Sequence, residues 1–245
     1  MDLYNKKKFH QFFETRPIKC SYLDGRDEKR LVLSLKYQSD ANLLNKLTTL
    51  GFRRNLDYMY LPICNSCSSC ISSRIVVKDF KNSKSQKRNL KKNSHFELVE
   101  MIPNAESRRY EIFKDYINAR HHDSQMQNMK KEEFKRFLYN TPVESKIFDL
   151  IDESKNIIAS ILLDQLEDGM SAVYSFYKPQ FLRNGLGIFL ILKAIEQVKI
   201  EKKKFLYLGY WVKNSKKMDY KVKFNNLQIF IDGNWKFIDQ KTQFS

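Results

Sequence analysis

The chain contains four cysteines, and their spacing could hold a metal ion. Cys64, Cys67 and Cys70 form a C-x2-C-x2-C cluster, and Cys20 stands alone upstream. Thiolates with this spacing can turn onto one ion with tetrahedral geometry, and a fourth thiolate from a neighbouring loop completes the shell. The spacing therefore predicts a structural zinc ion or an iron–sulfur cluster on these four residues, and it does not separate the two.

The start of the chain and its hydropathy predict a cytoplasmic protein. Residues 1–8 are polar and lysine-rich, so they do not resemble a secretory signal. The longest apolar run, around residues 188–191, is far shorter than the roughly 18 residues that cross a membrane. Disulfides and four unliganded thiols are the alternatives to a bound metal, and a reducing compartment makes disulfides the least favoured. We therefore predict a cytoplasmic protein without a membrane partner.

The positive charge of the chain indicates an anionic partner. The 245 residues include 44 Lys and Arg against 28 Asp and Glu, a formal net charge of +16. Part of this excess is lysine scattered over solvated faces, but residues 78–92 read KDFKNSKSQKRNLKK and are nearly all basic or neutral polar. A polyphosphate chain is the commonest partner for such a segment, so we predict that it contacts nucleic acid.

Residues 1–100 are predicted to form short strands around the cysteines. Residues 31–35 alternate apolar and polar side chains as a half-buried strand does, and residues 42–50 have the spacing of an amphipathic helix that ends at a glycine. Residues 59–63 and 74–77 read as strands that enter and leave the cysteine cluster. We therefore expect a first region in which a cysteine knuckle lies between strands.

The elements predicted for residues 101–245 have the order of an acyltransferase core. The pattern begins with a strong helix over residues 106–119. Three strands, a helix after a glycine-containing turn and a further strand follow at residues 147–151, 157–164, 172–177, 187–199 and 205–210. Meander strands followed by a helix and another strand are the layout of GNAT-like N-acyltransferases, so the predicted fold class is α+β.

The turn before the core helix argues against a small-molecule acetyltransferase. In acetyl-CoA enzymes, a Q/R-x-x-G-x-G loop stands here, and its backbone N–H groups hold a pyrophosphate. The turn at residues 182–187 reads LRNGLG, so Leu182 stands at the first basic position. The charge of the chain also suggests an anionic donor much larger than a coenzyme.

Seven segments occur together in an order that indicates a family. They are CSYLDGR at 20–26, GFRRN at 51–55, Y-x-P-x-C-x2-C-x2-C ending at Cys70, FKNSKSQKRNLKKN ending at Asn93, YINARH at 116–121, SAVYSFYKP at 171–179 and YLGYWVKNSKKMDYKVKF at 207–224. Over nearly its whole length, the chain resembles the aminoacyl-tRNA–protein transferases of the N-end rule pathway. Within that family, it is most similar to the bacterial aspartate/glutamate leucyltransferases.

This resemblance implies that leucine is moved from leucyl-tRNA to the N-terminal α-amine of proteins that begin with Asp or Glu, which marks them for proteolysis. Arginyl transfer to the same acceptors and a non-catalytic, metal-stabilised RNA-binding protein are the alternatives. Because the donor ester is activated and a protein α-amine has a pKa of about 7.7–8.0, alignment of the substrates should dominate catalysis. We therefore expect neither a catalytic cysteine nor a catalytic organic cofactor.

Three groups of side chains are candidates for this reaction. Cations for the acidic acceptor side chain are Arg53, Arg54 and Arg120, with ordinary ion pairs as the alternative. Hydroxyl groups and proton acceptors near the reacting carbonyl are Tyr207, Tyr177, Ser175, Asp164 and His121. The tRNA contacts, in the basic segment and after the YLGYW strand, are Lys84, Lys87, Arg88, Lys91, Lys92, Lys217, Tyr220 and Lys221.

Overall fold

The computed structural model describes residues 11–35, 41–102, 104–120, 126–139 and 142–238. It confirms a mixed α+β fold with two main sheets. The helices are α1 (Ala41–Thr49), α2 (Lys84–Lys92), α3 (Glu106–Arg120), α4 (Lys131–Leu138) and α5 (Leu186–Ile200), with short 3-10 helices at Pro179–Asn184 and Lys221–Lys223. The helices predicted over residues 42–50, 106–119 and 187–199 are thus confirmed as α1, α3 and α5.

The first six strands form a small antiparallel sheet and a separate short ladder. They are β1 (Phe12–Glu14), β2 (Ile18–Lys19), β3 (Asp27–Glu28), β4 (Arg30–Ser34), β5 (Arg53–Asn55) and β6 (Tyr58–Pro62). The small sheet has the order β1-β4-β6-β5, while β2 pairs with β3. Helix α1 buries Leu43, Leu44 and Leu47 against this sheet. The chain then turns at Gly51, whose φ of 93° suits a residue without a Cβ.

Eight strands form the large sheet. They are β7 (Cys70–Val76), β8 (Glu97–Glu100), β9 (Ser145–Ile151), β10 (Ile157–Gln165), β11 (Gly169–Tyr177), β12 (Phe205–Val212), β13 (Leu227–Ile231) and β14 (Asn234–Phe237). Their order is β14-β13-β7-β12-β11-β10-β9-β8. Only the β11–β12 pair among these is parallel, which the helix α5 crossover between them permits.

The large sheet combines strands from both predicted regions of the chain. Strands β7 and β8 belong to residues 1–100, yet β7 lies between β13 and β12, and β8 forms the far edge of the large sheet. A second apolar cluster joins α1 and the small sheet to Leu166 and Tyr207, which belong to the large-sheet region. The sequence boundary near residue 100 therefore does not separate two sheets.

Helices α3 and α5 pack against three central strands of the large sheet. Helix α3 packs on β10 and β11, and its Phe113 and Ile117 are fully buried. Helix α5 packs on β11 and β12 and buries Leu186, Phe189 and Leu190. This packing fixes the positions of β11 and β12 relative to both helices. In the described ranges, no helix has both the length and the apolar character needed to cross a membrane.

Candidate active site

Strands β11 and β12 separate after a short parallel pairing. The pairing covers three residues and ends where Ser171 lies opposite Tyr207. Beyond this point, β11 remains paired with β10 as far as Tyr177 and β12 with β7 as far as Val212, each across a register shift. The space between these two stretches, which we call the cleft, is bordered by strand edges whose backbone N–H groups can donate to an acyl oxygen.

A bulge in β12 places a lysine beside the cleft. The pairing register of β12 with β7 shifts between Tyr207 and Gly209, and Gly209 has a φ of 76°. Lys221 folds back onto this bulge, and its Nζ donates a 2.6 Å hydrogen bond to the carbonyl oxygen of Tyr210. Only 4% of Lys221 is exposed. This burial takes Lys221 off the exposed surface of the protein, which corrects its assignment as a tRNA contact.

Tyrosines gather at the open end of the cleft. The rings of Tyr116 on α3 and Tyr177 at the end of β11 lie 4.8 Å apart. Burial, together with the nearby Tyr177 phenol, raises the pKa of Tyr116, and Tyr220 contributes to the same effect. Burial and then the Tyr22 phenol raise the pKa of Tyr220 to about 12. These two phenols therefore stay protonated at neutral pH and can donate hydrogen bonds, and Ser175 on β11 is half-buried.

Tyr207 lies away from the cleft, although the sequence predicted it as a catalytic residue. It is fully buried in the second apolar cluster and packs edge-on against Trp235 at 5.6 Å. Its hydroxyl accepts a 3.1 Å hydrogen bond from Arg74 and donates a 3.0 Å hydrogen bond to Asp168. The structure therefore gives Tyr207 a packing role, which corrects the prediction.

Two other predicted site residues are bound to each other. Arg54 donates to Asp164 from Nε at 2.6 Å and from Nη2 at 2.7 Å, and each side chain is 1% exposed. Ser145 also donates to Asp164, at 2.7 Å. Because all these groups are engaged inside the protein, the structure corrects both assignments: Arg54 is not free for an acceptor and Asp164 is not free to take a proton.

The remaining predicted cations differ in exposure. Arg53 is buried, and its two terminal nitrogens donate to three backbone carbonyl oxygens at 2.7, 3.3 and 3.4 Å. Its Nε lacks a partner among the described residues, and burial lowers its pKa. Arg120 is exposed at the end of α3 and hydrogen-bonds to Tyr116. His121, predicted as a proton acceptor, lies outside the described residues.

The basic segment forms a helix with an exposed positive face. Helix α2 begins with a capping box between Ser83 and Gln86. The predicted tRNA contacts on it are all exposed: Lys84, Lys87, Arg88, Lys91 and Lys92. Of the contacts predicted after β12, Lys217 is exposed and Tyr220 is half-buried.

Two asparagines hold α2 against the turn before α5. Asn89 donates to the carbonyl oxygens of Asn184 and Gly185, both at 3.1 Å, and Asn93 donates to that of Asn184 at 3.0 Å. Lys92 donates to the carbonyl oxygen of Arg183 at 2.8 Å. Neither asparagine was predicted as a functional residue from the sequence, although their i, i+4 spacing puts them on one helical face. The basic helix is thereby attached to the element that begins α5.

The four cysteines are half-buried and unpaired in disulfides. Burial, followed by the charges of Cys20, Cys64 and Cys67, raises the pKa of Cys70 to about 12, so the four thiols face one region. Among the residues that the structure describes, however, no group of three or more His, Cys, Asp or Glu side chains is arranged to hold a metal ion. The thiols as placed do not form a coordination shell, and the metal stays a prediction from the spacing.

Comparison with known families shows the family to which the chain belongs. Residues 18–88 match the family model described as the N terminus of arginine-tRNA-protein transferase, and residues 108–231 match the model of its C terminus. The two matches together include the cysteine cluster, most of α2 and the cleft. The chain therefore belongs to the arginine-tRNA-protein transferase family, a class of enzymes named for aminoacyl transfer from tRNA to protein.

Curated relatives named aspartate/glutamate leucyltransferase are similar to this chain over most of its length. One from Ruegeria sp. (strain TM1040) is 40% identical over 226 residues, which are 92% of this chain and 82% of the relative. Those from Paracoccus denitrificans and Acinetobacter baylyi are both 37% identical and cover 95% and 94% of this chain, and 87% and 85% of the relatives. Among solved structures, FemX matches with a TM-score of 0.49 and 8% identity over 84% of this chain and 81% of that chain.

Proposed function

We propose that this protein transfers leucine from leucyl-tRNA to the N-terminal α-amine of proteins that begin with Asp or Glu, and so creates an N-degron. The proposal rests on the name aspartate/glutamate leucyltransferase, which is that of relatives whose alignments cover more than nine-tenths of this chain. The exposed basic face of α2 and the cleft between β11 and β12 supply the two surfaces such a reaction needs. Because charged tRNA is made in the cytoplasm, we also propose a cytoplasmic location.

The alternatives have less support. Arginyl transfer would agree with the name of the family models, but the relatives that cover most of the chain are named leucyltransferases. A non-catalytic RNA-binding protein would give no role to the cleft or to the buried lysine beside it. Leucine is therefore the donor amino acid that we propose.

The reaction is the aminolysis of an ester. The acceptor nitrogen forms a bond to the leucyl carbonyl carbon, and the bond from that carbon to the ribose oxygen of the terminal adenosine breaks. The amine loses one proton in this step, and the released ribose oxygen gains one. The free α-amine has a pKa of about 7.7–8.0, so a useful fraction is neutral near pH 7. The cleft would align the two groups, and N–H and hydroxyl donors along its edges, including those at Tyr177 and Ser175, would stabilise the developing oxyanion.

A transfer assay with purified protein tests this proposal. Labelled leucyl-tRNA or arginyl-tRNA is combined with peptides that differ only in a first residue of Asp, Glu or Ala. We expect label from leucyl-tRNA on the Asp and Glu peptides and none on the Ala peptide. Label from arginyl-tRNA instead would contradict the donor, and the absence of transfer from both donors by folded protein would contradict the enzymatic function.

Replacing Tyr207 with phenylalanine should reduce stability and leave the chemistry intact. The hydroxyl bonds to Arg74, Asp168 and Thr49 inside the protein, so its loss should cost about 1–3 kcal/mol of unfolding free energy. Single-turnover leucyl transfer below the melting temperature should keep its rate within about twofold. A drop of about 100-fold, typical of a lost oxyanion donor, would restore Tyr207 to the active site.

Neutralising α2 should weaken tRNA binding without changing the acceptor preference. We suggest Lys87, Arg88 and Lys91 changed together to glutamine, since these exposed residues do not hold the turn before α5. If each contacts a phosphate, the slope of log affinity against log salt should fall by about 2–3. The control is the same charge change on α4, at Lys131, Lys135 and Arg136. An equal effect of both triple variants would mean that only the net charge matters.

A further inference from the structure

Lys221 is a buried cation whose contacts are a carbonyl oxygen and, 5.9 Å away, the Tyr220 ring, rather than a carboxylate. It is almost fully buried, and the hydrogen bond to the Tyr210 carbonyl oxygen uses one of its three N–H groups. Burial and then the neighbouring Arg53 guanidinium lower its pKa to about 7, while the Cys70 thiol acts in the opposite direction. Among the described residues, neither cation hydrogen-bonds to a carboxylate. Burying an ammonium without a counter-ion is costly, so its retention points to an anion that arrives with a substrate.

The structure contains space next to this ammonium. Apart from the adjoining residues 208 and 210, a Cβ built on Gly209 would have one atom within 4 Å, the Nζ of Lys221, at 3.8 Å. A small group at this position would therefore meet the ammonium, at the bulge of the strand that borders the cleft. The unpartnered Nε–H of the buried Arg53 is a second independent sign of a missing acceptor nearby.

The geometry of the acceptor requires a cation close to the reaction. In an N-terminal Asp, three bonds separate the reacting nitrogen from the carboxyl carbon of the side chain. With bonds near 1.5 Å, these two atoms lie about 3–4 Å apart. The cation that recognises this carboxylate must therefore lie at the cleft. Lys221 meets this condition, because it is bonded to the part of β12 that borders the cleft. Arg54 does not meet it, because Asp164 already occupies its guanidinium.

We propose that the space beside Gly209 receives the side-chain carboxylate of the acceptor's first residue, and that Lys221, with Arg53 behind it, is the cation that binds it. This inference rests on the proposed function and deepens it by naming the residue that selects acidic acceptors. An amide in the same space would leave the ammonium without a counter-ion, so Asn and Gln would be rejected.

The test compares peptides that begin with Asp or Asn and are otherwise identical. Leucyl transfer is measured with wild type, Lys221→Met and Lys221→Arg, and Lys216→Met serves as a matched control because Lys216 is exposed in the same segment. We expect Lys221→Met to lower the Asp-over-Asn ratio of kcat/KM at least 100-fold, mainly through the KM for the Asp peptide. The KM for leucyl-tRNA should stay within about twofold, Lys221→Arg should retain part of the selectivity, and Lys216→Met should match wild type.

Thermal melting and peptide calorimetry complete the test. Lys221→Met should melt at the same temperature as wild type or higher, because it removes an unpaired buried charge. Retained Asp selectivity in Lys221→Met, or an equal loss on both peptides, would overturn the assignment. Calorimetry with the Asp peptide separates the two proposals: Lys221-dependent binding without any transfer by wild type would uphold this site and contradict the transferase, whereas Lys221-independent binding would overturn the site alone.

Discussion

Replacing Arg54 with methionine is expected to lower the free energy of unfolding by about 3–5 kcal/mol. The carboxylate of Asp164 would remain buried at 1% exposure, with the Ser145 hydroxyl as its remaining side-chain donor. A buried charge without its partner is among the most destabilising changes in a protein interior. Chemical denaturation of wild type and variant measures the loss directly.

The double variant Arg54→Met with Asp164→Leu distinguishes this structural role from acceptor binding. Removing both charges at once should recover most of the lost stability, since hydrophobic residues of similar volume often replace buried ion pairs at little cost. The double variant should also keep the wild-type preference for Asp over Asn peptides. Recovered stability combined with lost acidic preference would show that Arg54, and not Lys221, selects the acceptor.

The local pattern of apolar residues was sufficient to predict several helices and strands. The spacing of Leu43, Leu44 and Leu47 predicts α1, because it places the three side chains on one face of a helix. That face packs against the small sheet. The run of apolar residues in β10 likewise predicts a strand that is buried on both sides. Such patterns are local, so a single sequence contains them completely.

Pairings between distant segments could not be predicted in this way. Arg54 and Asp164 are 110 positions apart, and each resembles a free functional group until the other is placed. Similarly, β7 follows the cysteine cluster in sequence, but it pairs with β12 and β13, which come more than 120 residues later. A local sequence pattern carries no information about contacts between distant segments. The predicted boundary near residue 100 therefore did not separate two sheets.

The bulge at Gly209 explains the error in the candidate site. Strict alternation along β12 would put Tyr207, Gly209 and Trp211 on one face. The positive φ at Gly209 shifts the register, so Tyr207 enters the second apolar cluster instead of the cleft. The same bulge lies beside Lys221, which its place after the YLGYW strand and its charge had assigned to the tRNA surface.

Replacing Asp149 with alanine is expected to be at least as destabilising as the Arg54 change, and it should also impair transfer. One Asp149 oxygen accepts from Arg109 Nε at 2.9 Å and Ser160 at 2.7 Å, and the other accepts from the Ile102 N–H at 2.9 Å and a second Arg109 nitrogen. Arg109 is 1% exposed and would lose its counter-ion. We expect a loss of about 3–5 kcal/mol for that cation, with further cost for each orphaned donor.

The functional part of this expectation follows from the position of α3. Arg109 fastens the beginning of α3 to β9 through Asp149, and the same helix presents Tyr116 to Tyr177 at the cleft. A loosened α3 would let these phenols move apart, so leucyl transfer by the folded fraction should also fall. The matched control is Asp115→Ala, because Asp115 is exposed on the same helix. If Asp149→Ala unfolded no more easily than Asp115→Ala, the buried pair would not be what holds α3 against the sheet.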